Sequence, residues 1–300
     1  MSNHHTAKRP RHAHNCVNED RIIAEVKKDL QKSIRRIARQ FDLSLDTIQR
    51  TLWSESYHSY QYNRTHTLTP QDLQSRLNFC NWVLTRARNH NFLRNILFTG
   101  ECTFARSSCR NSYNLSYYAY KNTFSATVQN SQDRFLLNLW VGIIGDRLVG
   151  PFQFDGNLTG ELYATFLNQC LHPLCLRAGI NRAELNRIWY QHNRHPAHTS
   201  LVAKSWLRQN FRGRFIGKSG SKKWPARSPD LNPVDFFLWD FVKSVVYREF
   251  VNSLQELEQR IQDAIRQITP EMLQSCTQSL VRRAECCVQM NGGLFEHLIH

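Results

Sequence analysis

The sequence lacks the features of a membrane-spanning or secreted protein. No apolar run approaches the roughly 20 residues that a membrane-spanning helix needs. The polar, basic start MSNHHTAKRPRHAHN has no signal-peptide core. Nine cysteines follow no regular framework and none stands in a CxxC pair, so nothing predicts a disulfide scaffold or a zinc ribbon. We therefore expect reduced cysteines, an intracellular protein and no membrane partner.

Acidic residues are also scarce. The chain has 24 Asp and Glu against 39 Lys and Arg, which gives a formal charge of +15. A charge of this size favours a polyanionic partner, and nucleic acid is the first candidate. The chain has enough apolar residues for a hydrophobic core, with 41% hydrophobic residues, seven Trp and seventeen Phe. Three hundred residues suit one good-sized domain and a small one.

Periodicity divides the chain into four segments. We expect a disordered basic tail in 1–18, a helix-turn-helix module in 19–56, a linker and helix in 57–91, and one α/β domain in 92–300. In the last segment strands come first and then alternate with helices, which indicates a mixed sheet flanked by helices. The expected strands are Arg94–Phe104, Tyr117–Lys121, Phe135–Ile144, Leu148–Phe154, Arg187–His192 and Phe215–Gly217. The expected helices include Thr159–Leu176 and Ala197–Phe211.

Within the small module, Ser33–Leu52 has the layout of two short helices joined by a turn. Asp42 occupies the turn, where it tolerates a left-handed backbone, and Ser44 suits the N-cap of the second helix. The residues expected on the inward faces are Ile34, Ile37, Ala38, Phe41, Leu45, Ile48 and Leu52. A second helix of this kind would present its outer face to the DNA major groove. The DNA-contacting candidates are Arg35, Arg36, Ser44, Asp46, Thr47, Gln49 and Arg50. An ordinary helical hairpin fits the same spacing.

Near the other end of the chain, the segment Trp224–Trp239, WPARSPDLNPVDFFLW, places an acid at a helix start. Asn232 suits the N-cap and Pro233 the first helical position. Asp235 then falls in the first turn, where the helix dipole favours a carboxylate. The apolar run that follows would bury the helix and hold that carboxylate in place. Taken alone, this spacing favours a capping role for Asp235.

Two further segments, Asn95–Phe104 (NILFTGECTF) and Trp189–His198 (WYQHNRHPAH), precede that one. In this order the three resemble the catalytic segments of mariner-type (Tc/mariner superfamily) transposases, which run like LFSDEATF, QHDGAPAH and WPPRSPDLNPLDFFLW. Asn138–Pro151 and Val281–His297 resemble the family's flanking elements. The resemblance covers about residues 20–298 and implies an RNase H-like fold for the α/β domain. Members usually carry two helix-turn-helix modules, so it also implies a chain shortened at its N-terminus.

The resemblance implies three catalytic acids, and two of them are replaced here. Gly100 stands at the position of the first acid and Asn193 at that of the second, so only Asp235 remains. Glu101 is next to Gly100, but neighbouring strand residues point to opposite faces, so Glu101 should face away from the site. Arg194 adds a positive charge where a cation would bind.

The family reaction is metal-dependent cleavage and transfer of DNA strands at transposon ends. Two Mg²⁺ or Mn²⁺ ions, held by several carboxylates, activate the nucleophile and stabilise the leaving oxygen. Asp235 is the one acid left to hold a metal, and we expect it to do so poorly. We therefore expect a transposase-derived DNA-binding protein that has lost strand cleavage. The alternative is a scaffold or interaction protein, co-opted from a transposase, without specific DNA binding.

Other expectations depend on the same resemblance. It implies transposon terminal repeats as the DNA partner, a homodimer and a nuclear location, for which Lys8–Arg11 (KRPR) would suit a localisation signal. Basic residues around Trp224 would line a DNA-backbone edge beside the catalytic site, although a solvated charge run explains them too. These residues are Lys218, Lys222, Lys223 and Arg227. His192, His195 and His198 have a spacing that zinc could use, but scattered histidines in a polar turn are the favoured interpretation.

Overall fold

A computed structural model describes residues 16–29, 32–57, 67–89, 91–106 and 135–299. They belong to two compact units, one within residues 1–65 and one within residues 66–300. The first helix begins at Cys16, which corrects the last three residues of the expected tail. Glu19 in the first turn favours a helix there, and Ile22 and Val26 bury its inner face. The expected strand Tyr117–Lys121 lies outside the described residues.

The described residues of the first unit form three helices, α1 (Cys16–Lys28), α2 (Ile34–Phe41) and α3 (Leu45–Ser54). Their buried core consists of Ile22, Val26, Ile37, Ala38 and Ile48. Asp42 has a φ of 51°, the left-handed backbone expected for the turn. Two expected inward residues are instead exposed, Ile34 by 37% and Leu45 by 43%. Each is the first residue of its helix, and the buried positions begin two or three residues later.

In the second unit, the described residues form one mixed sheet. Its strands are β1 (Ile96–Ala105), β2 (Leu136–Ile144), β3 (Arg147–Phe154), β4 (Trp189–Gln191), β5 (Phe215–Gly217) and β6 (Lys222–Lys223). Their order across the sheet is β3-β2-β1-β4-β5-β6. The first three strands pair antiparallel, whereas β4 pairs parallel with β1, and β5 and β6 continue the parallel part. The central strand β1 therefore joins the two halves of the sheet.

Helices cover both faces of this sheet. Alternate residues of β1 point to opposite sides, so this strand packs against both layers of helices. Leu97 packs with α5 (Gly160–Gln169), α6 (Leu171–Arg177) and α8 (Leu201–Asn210). Phe98 packs on the other face, in a core with residues of α4, α9, α10 and α11. Those helices are Pro70–Ala87, Asp240–Val246, Leu254–Arg266 and Pro270–Gln289, and the short α7 is Arg182–Leu185. Within the described ranges, no helix is both long and apolar enough to cross a membrane.

Two expected helices are interrupted. Thr159–Leu176 is divided at Cys170, which separates α5 from α6 with a φ of −111°. Ala197–Phe211 begins instead with a 3-10 turn, Pro196–Thr199, and α8 starts only after it.

Candidate functional site

The segment that carries Asp235 is a helix start, as its sequence predicts, but its first turns are not α-helical. A 3-10 turn, Pro229–Leu231, is followed by a π-helical turn, Val234–Trp239, which continues as α9. The carbonyl oxygen of Asn232 accepts hydrogen bonds from the N–H groups of Asp235 and Phe236, both at 2.9 Å. Single π-helical turns are rare and frequently mark functional sites.

Asn232 ties this turn to the central strand. Its Nδ2 donates to the carbonyl oxygen of Thr99 and to Oδ2 of Asp235, each at 3.0 Å. Its Oδ1 accepts from the N–H of Val234 at 3.3 Å. Asn232 is fully buried, so these bonds offset the loss of hydration of its amide. Sequence reasoning assigned Asn232 a capping role and missed that it holds the Asp235 carboxylate against β1.

Gly100 lies on β1 opposite that carboxylate. A Cβ atom at Gly100 would lie 3.2 Å from Oδ1 of Asp235, so position 100 faces the remaining acid. Glu101 points to the other face of the sheet, as strand alternation predicts. There its Oε1 lies 3.0 Å from Nε2 of the buried His198. The position of the family's first acid therefore faces Asp235 but carries no side chain.

Asn193 follows the parallel neighbour of β1. Gln191 on β4 pairs with Phe98 on β1, and Asn193 and Gly100 each come two residues later. The Asn193 side chain is used within its own turn, because its Oδ1 accepts from the N–H of His195 at 3.0 Å. Its carbonyl oxygen lies 3.3 Å from Nδ1 of His198. Position 193 therefore lies at the same end of the sheet as position 100. Its side-chain amide is engaged in a local hydrogen bond.

The environment of Asp235 does not favour a bound cation. Burial raises the pKa of Asp235 to about 7, against the hydrogen bond from Asn232, and the charge of Glu101 adds to the rise. At the positions of the other two family acids, Gly100 offers no side chain and Asn193 offers only a neutral amide. The described residues include no cluster of three or more His, Cys, Asp or Glu side chains that suits a metal ion. This donor set does not fit two divalent metals.

The three histidines of the second segment take part in packing and hydrogen bonding. His192 and His198 stack in nearly parallel planes, with ring centroids 4.4 Å apart. Nδ1 of His192 lies 3.0 Å from the hydroxyl of Tyr163, and burial keeps the pKa of His192 well below its usual value. Nδ1 of His195 accepts from the N–H of Ala197 at 3.2 Å. These contacts support a structural role over zinc binding.

Two of the four basic residues expected at a DNA edge have partners within the protein. Arg227 forms an ion pair with Asp72 at the start of α4, with its Nε 2.9 Å from Oδ2. Lys222 donates from Nζ to the carbonyl oxygen of Asn78 at 3.0 Å and lies over the ring of Trp82. Both side chains therefore make structural contacts, and their contact with DNA stays a prediction.

The remaining two, Lys218 and Lys223, are exposed. Lys218 directly follows β5 and Lys223 lies in the short edge strand β6. They too stay predicted contacts for a DNA backbone.

The predicted DNA-contacting residues of the helix-turn-helix module include both buried and exposed side chains. Thr47 is 5% exposed, and its hydroxyl lies 2.8 Å from that of Ser44, which caps α3. Both side chains stabilise the helix start, so Thr47 is not on the outer face as expected. Asp46 and Arg50 are exposed but form an ion pair of 2.7 Å with each other. The candidates that are exposed at the surface of the module are Arg35, Arg36, Ser44, Asp46, Gln49 and Arg50.

Comparisons with known proteins identify the class to which this fold belongs. Over 98% of its length the chain matches the Mos1 transposase paired-end complex with left transposon end, with a TM-score of 0.70, 17% identity and 83% of that chain covered. The crystal structure of the catalytic domain of Mos1 mariner transposase matches 78% of this chain and all of its own, with a TM-score of 0.60 and 18% identity. At such identities the likeness shows the fold. It confirms the expected RNase H-like domain preceded by a helical module.

Sequence relatives agree with the fold. The Tcb1 and Tcb2 transposable element transposases of Caenorhabditis briggsae are 24% identical over 153 residues and 27% identical over 140 residues. The matches cover 50% and 47% of this chain and 51% and 46% of the relatives, so the chain spans about half the length of the curated relatives it matches. No protein-family model matches. The chain is thus similar in sequence and in fold to transposases of the Tc1/mariner kind, the family that its three segments resemble.

Proposed function

We propose that this chain is a transposase-derived DNA-binding protein that no longer cleaves DNA strands. The observation that carries the proposal is that position 100 faces the Asp235 carboxylate but is a glycine, which offers no ligand atom. Mos1 has been solved with Mn and with Mg. Strand cleavage with such ions needs several carboxylates at one point, and this chain has replaced two of them.

Two observations support DNA as the partner: the net positive charge of the chain and its similarity to transposases. The formal charge of +15 favours a polyanion, and the first unit contains a two-helix turn closed by Asp42. Exposed basic residues lie on this module and on the β5–β6 edge, and they include Arg35, Arg36, Lys218 and Lys223. The Mos1 complexes contain transposon ends. We extend the proposal to terminal-repeat DNA, a homodimer and a nuclear location, which the family resemblance implies.

The cleavage half of the proposal is tested by a nicking assay on a supercoiled plasmid that carries mariner-type terminal repeats. Purified chain is incubated with Mn²⁺ or Mg²⁺, beside the variant Asp235→Asn. We expect the two proteins to leave the same background of nicked plasmid. Metal-dependent nicking that disappears in the Asp235→Asn variant would overturn the loss of catalysis.

The binding half is tested by fluorescence anisotropy on labelled duplexes, one with a terminal repeat and one of scrambled sequence. We expect binding to both, with an affinity that falls steeply as salt is raised. A chain that binds neither duplex at 50 mM salt would instead support the scaffold or interaction role.

A further inference from the structure

Three arginines stand where neighbouring parallel strands begin, at the end of the sheet away from the candidate site. Strands β1 and β4 begin in register, and β5 begins one residue further along. Arg94 and Arg187 come two residues before β1 and β4, and Arg212 comes three residues before β5. Asn193 of the candidate site instead follows the last residue of β4. The strand starts therefore gather three arginines at one end of the sheet.

The segments that lead into these strands carry an unusual set of charges. Residues 84–95, 177–189 and 206–215 each contain three arginines and no lysine, and Glu184 is their one acid. The arginines that are exposed at the protein surface include Arg88, Arg94, Arg182, Arg187 and Arg212. We call these five residues the arginine surface. All of them belong to the second unit.

Acids at this end of the sheet neutralise little of that charge. Arg147, the first residue of β3, pairs with Glu184 at 2.8 Å, which occupies this carboxylate and places α7 at the same end. Arg94 lies 3.5 Å from Asp146, and both side chains are nearly half exposed, so the pair is weak. Within the described ranges, no acid forms an ion pair with the other four members of the arginine surface.

A polar hollow adjoins the arginine surface. Its volume is about 280 Å³, and its lining includes Arg94 and the side chains of Asn89, Asn91, Gln274 and Gln278. Amide side chains and arginines are groups that contact the phosphates of DNA. The planar guanidinium group can give two parallel hydrogen bonds to one phosphate. The chemistry of this end of the sheet therefore suits a phosphate backbone.

The aromatic residues beside Arg94 and Arg187 are engaged in packing. The rings of Phe92 and Trp189 meet edge to face at 5.8 Å. Both also pack edge to face on Trp82, at 5.3 and 5.5 Å. Proteins that bind single strands stack the bases on aromatic side chains, and these rings are turned towards one another instead. The arrangement favours the backbone of a duplex over a single strand.

We infer that the arginine surface binds the phosphate backbone of duplex DNA, separately from the β5–β6 edge. Lys218 directly follows β5 and Arg212 precedes it, so the two surfaces lie at opposite ends of that strand. A chain with both surfaces contacts two stretches of duplex. The inference rests on the DNA-binding half of the proposed function and adds a second binding surface to it.

The test compares two triple variants of the full chain that lose the same charge. The first combines Arg94→Ala, Arg187→Ala and Arg212→Ala. The control combines Arg248→Ala, Arg266→Ala and Arg282→Ala, at exposed positions elsewhere in the second unit. Binding to a labelled duplex of scrambled sequence is measured by fluorescence anisotropy between 50 and 200 mM salt. The urea midpoint of each variant is measured first.

The first triple variant should bind the duplex about tenfold more weakly at 100 mM salt, with a slope of log affinity against log salt that is shallower by about 0.9 for each lost phosphate contact. The control should change the slope by less than about a third as much, because salt screens charges that lie far from the DNA. Equal changes in the two triple variants would overturn the inference, since net charge alone would then explain the loss.

A second triple variant, with Arg94→Lys, Arg187→Lys and Arg212→Lys, separates charge from structural damage. Lysine keeps the charge but lacks the planar fork of donors. We expect it to keep most of the slope while binding the duplex about threefold more weakly. A slope that flattens as much with lysine as with alanine would overturn the inference, because the effect would not depend on the charge.

Two further outcomes bear on the partner. The same titrations are run on a single-stranded oligonucleotide of equal length, and a loss confined to the single strand would overturn the assignment of the arginine surface to duplex DNA. Failure of the unchanged chain to bind any duplex would instead overturn the DNA-binding half of the proposed function, and the inference with it. Normal binding by the unchanged chain, with both alanine triple variants alike, would overturn the inference alone.

Discussion

Arg76 on α4 and Asp230 form a buried ion pair that fixes the segment leading to Asp235. Two guanidinium nitrogens of Arg76 meet the two carboxylate oxygens of Asp230, at 2.7 and 2.6 Å. Nε of Arg76 also donates to the carbonyl oxygen of Gly292 at 2.7 Å, near the C-terminus. One fully buried side chain thus joins α4, the SPDLNP segment and the turn that follows α11.

Asp230→Asn should destabilise the second unit by about 3–5 kcal/mol, because it leaves the Arg76 guanidinium buried without its counter-charge. The measurement is the free energy of unfolding in urea. The control is Asp263→Asn, which breaks an exposed 2.7 Å pair with Arg266 and should change stability by less than about 0.5 kcal/mol. Equal effects of the two variants would show that burial of the Arg76 pair contributes nothing.

Asp235→Asn should remove a pH dependence of stability. Burial raises the pKa of Asp235 from 3.8 to about 7. The protonated side chain is therefore favoured by folding, so this contribution is fully present below about pH 4 and is lost as pH rises through 7. The shift corresponds to roughly 4 kcal/mol at most. Asn keeps an oxygen that can accept from Asn232.

The measurement is the free energy of unfolding of both proteins from pH 4 to pH 8. Relative to the unchanged chain, Asp235→Asn should gain stability as the pH rises. Parallel curves would contradict the prediction. Asp155→Asn, at an exposed position, serves as the control and should run parallel to the unchanged chain.

Local patterns in the sequence predicted much of this molecule, because the responsible groups are neighbours in the chain. The αL turn at Asp42, the helix start at Asp235 and the direction of Glu101 all follow from spacing over a few residues. The strands followed from apolar runs. The mixed sheet followed from the order of strands and helices, and the place of Gly100 beside Asp235 followed from the family resemblance.

What spacing did not predict depends on partners far away in sequence. Arg227 meets Asp72, 155 positions earlier, and Lys222 meets Asn78, 144 positions earlier. No local pattern distinguishes such pairs from free surface charges. Thr47 was misplaced for a different reason: the buried residues of α3 are Thr47, Ile48 and Thr51, so its inward face is rotated from the expected Leu45, Ile48 and Leu52.

Asp72→Asn should make folding less sensitive to strong acid. A hydrogen bond from the Thr69 hydroxyl, and then those from Arg227, lower the pKa of Asp72 to about 2. A lowered pKa means that the contribution to stability is present above about pH 4 and is lost as pH falls through 2. The midpoint of thermal unfolding between pH 5 and pH 2 measures it. The unchanged chain should lose more over this range than Asp72→Asn, and an equal loss would contradict the prediction.

Exposed and paired basic residues should differ in their effect on DNA binding. Arg36→Ala and Lys223→Ala each remove an exposed charge. If each side chain neutralises one phosphate, the slope of log affinity against log salt should become shallower by about 0.9 per variant. Arg227→Ala is the matched control, because its guanidinium is engaged with Asp72, and its slope should stay unchanged.

The measurement is fluorescence anisotropy on a duplex at several salt concentrations between 50 and 200 mM, the range in which phosphate contacts change affinity most visibly. Each variant is first checked for an unchanged urea midpoint, since Arg227→Ala also removes a structural ion pair. A slope that flattens as much for Arg227→Ala as for Lys223→Ala would place DNA against α4 and Asp72 instead of at the β5–β6 edge. Unchanged slopes for both Arg36→Ala and Lys223→Ala would mean that neither surface contacts the DNA backbone.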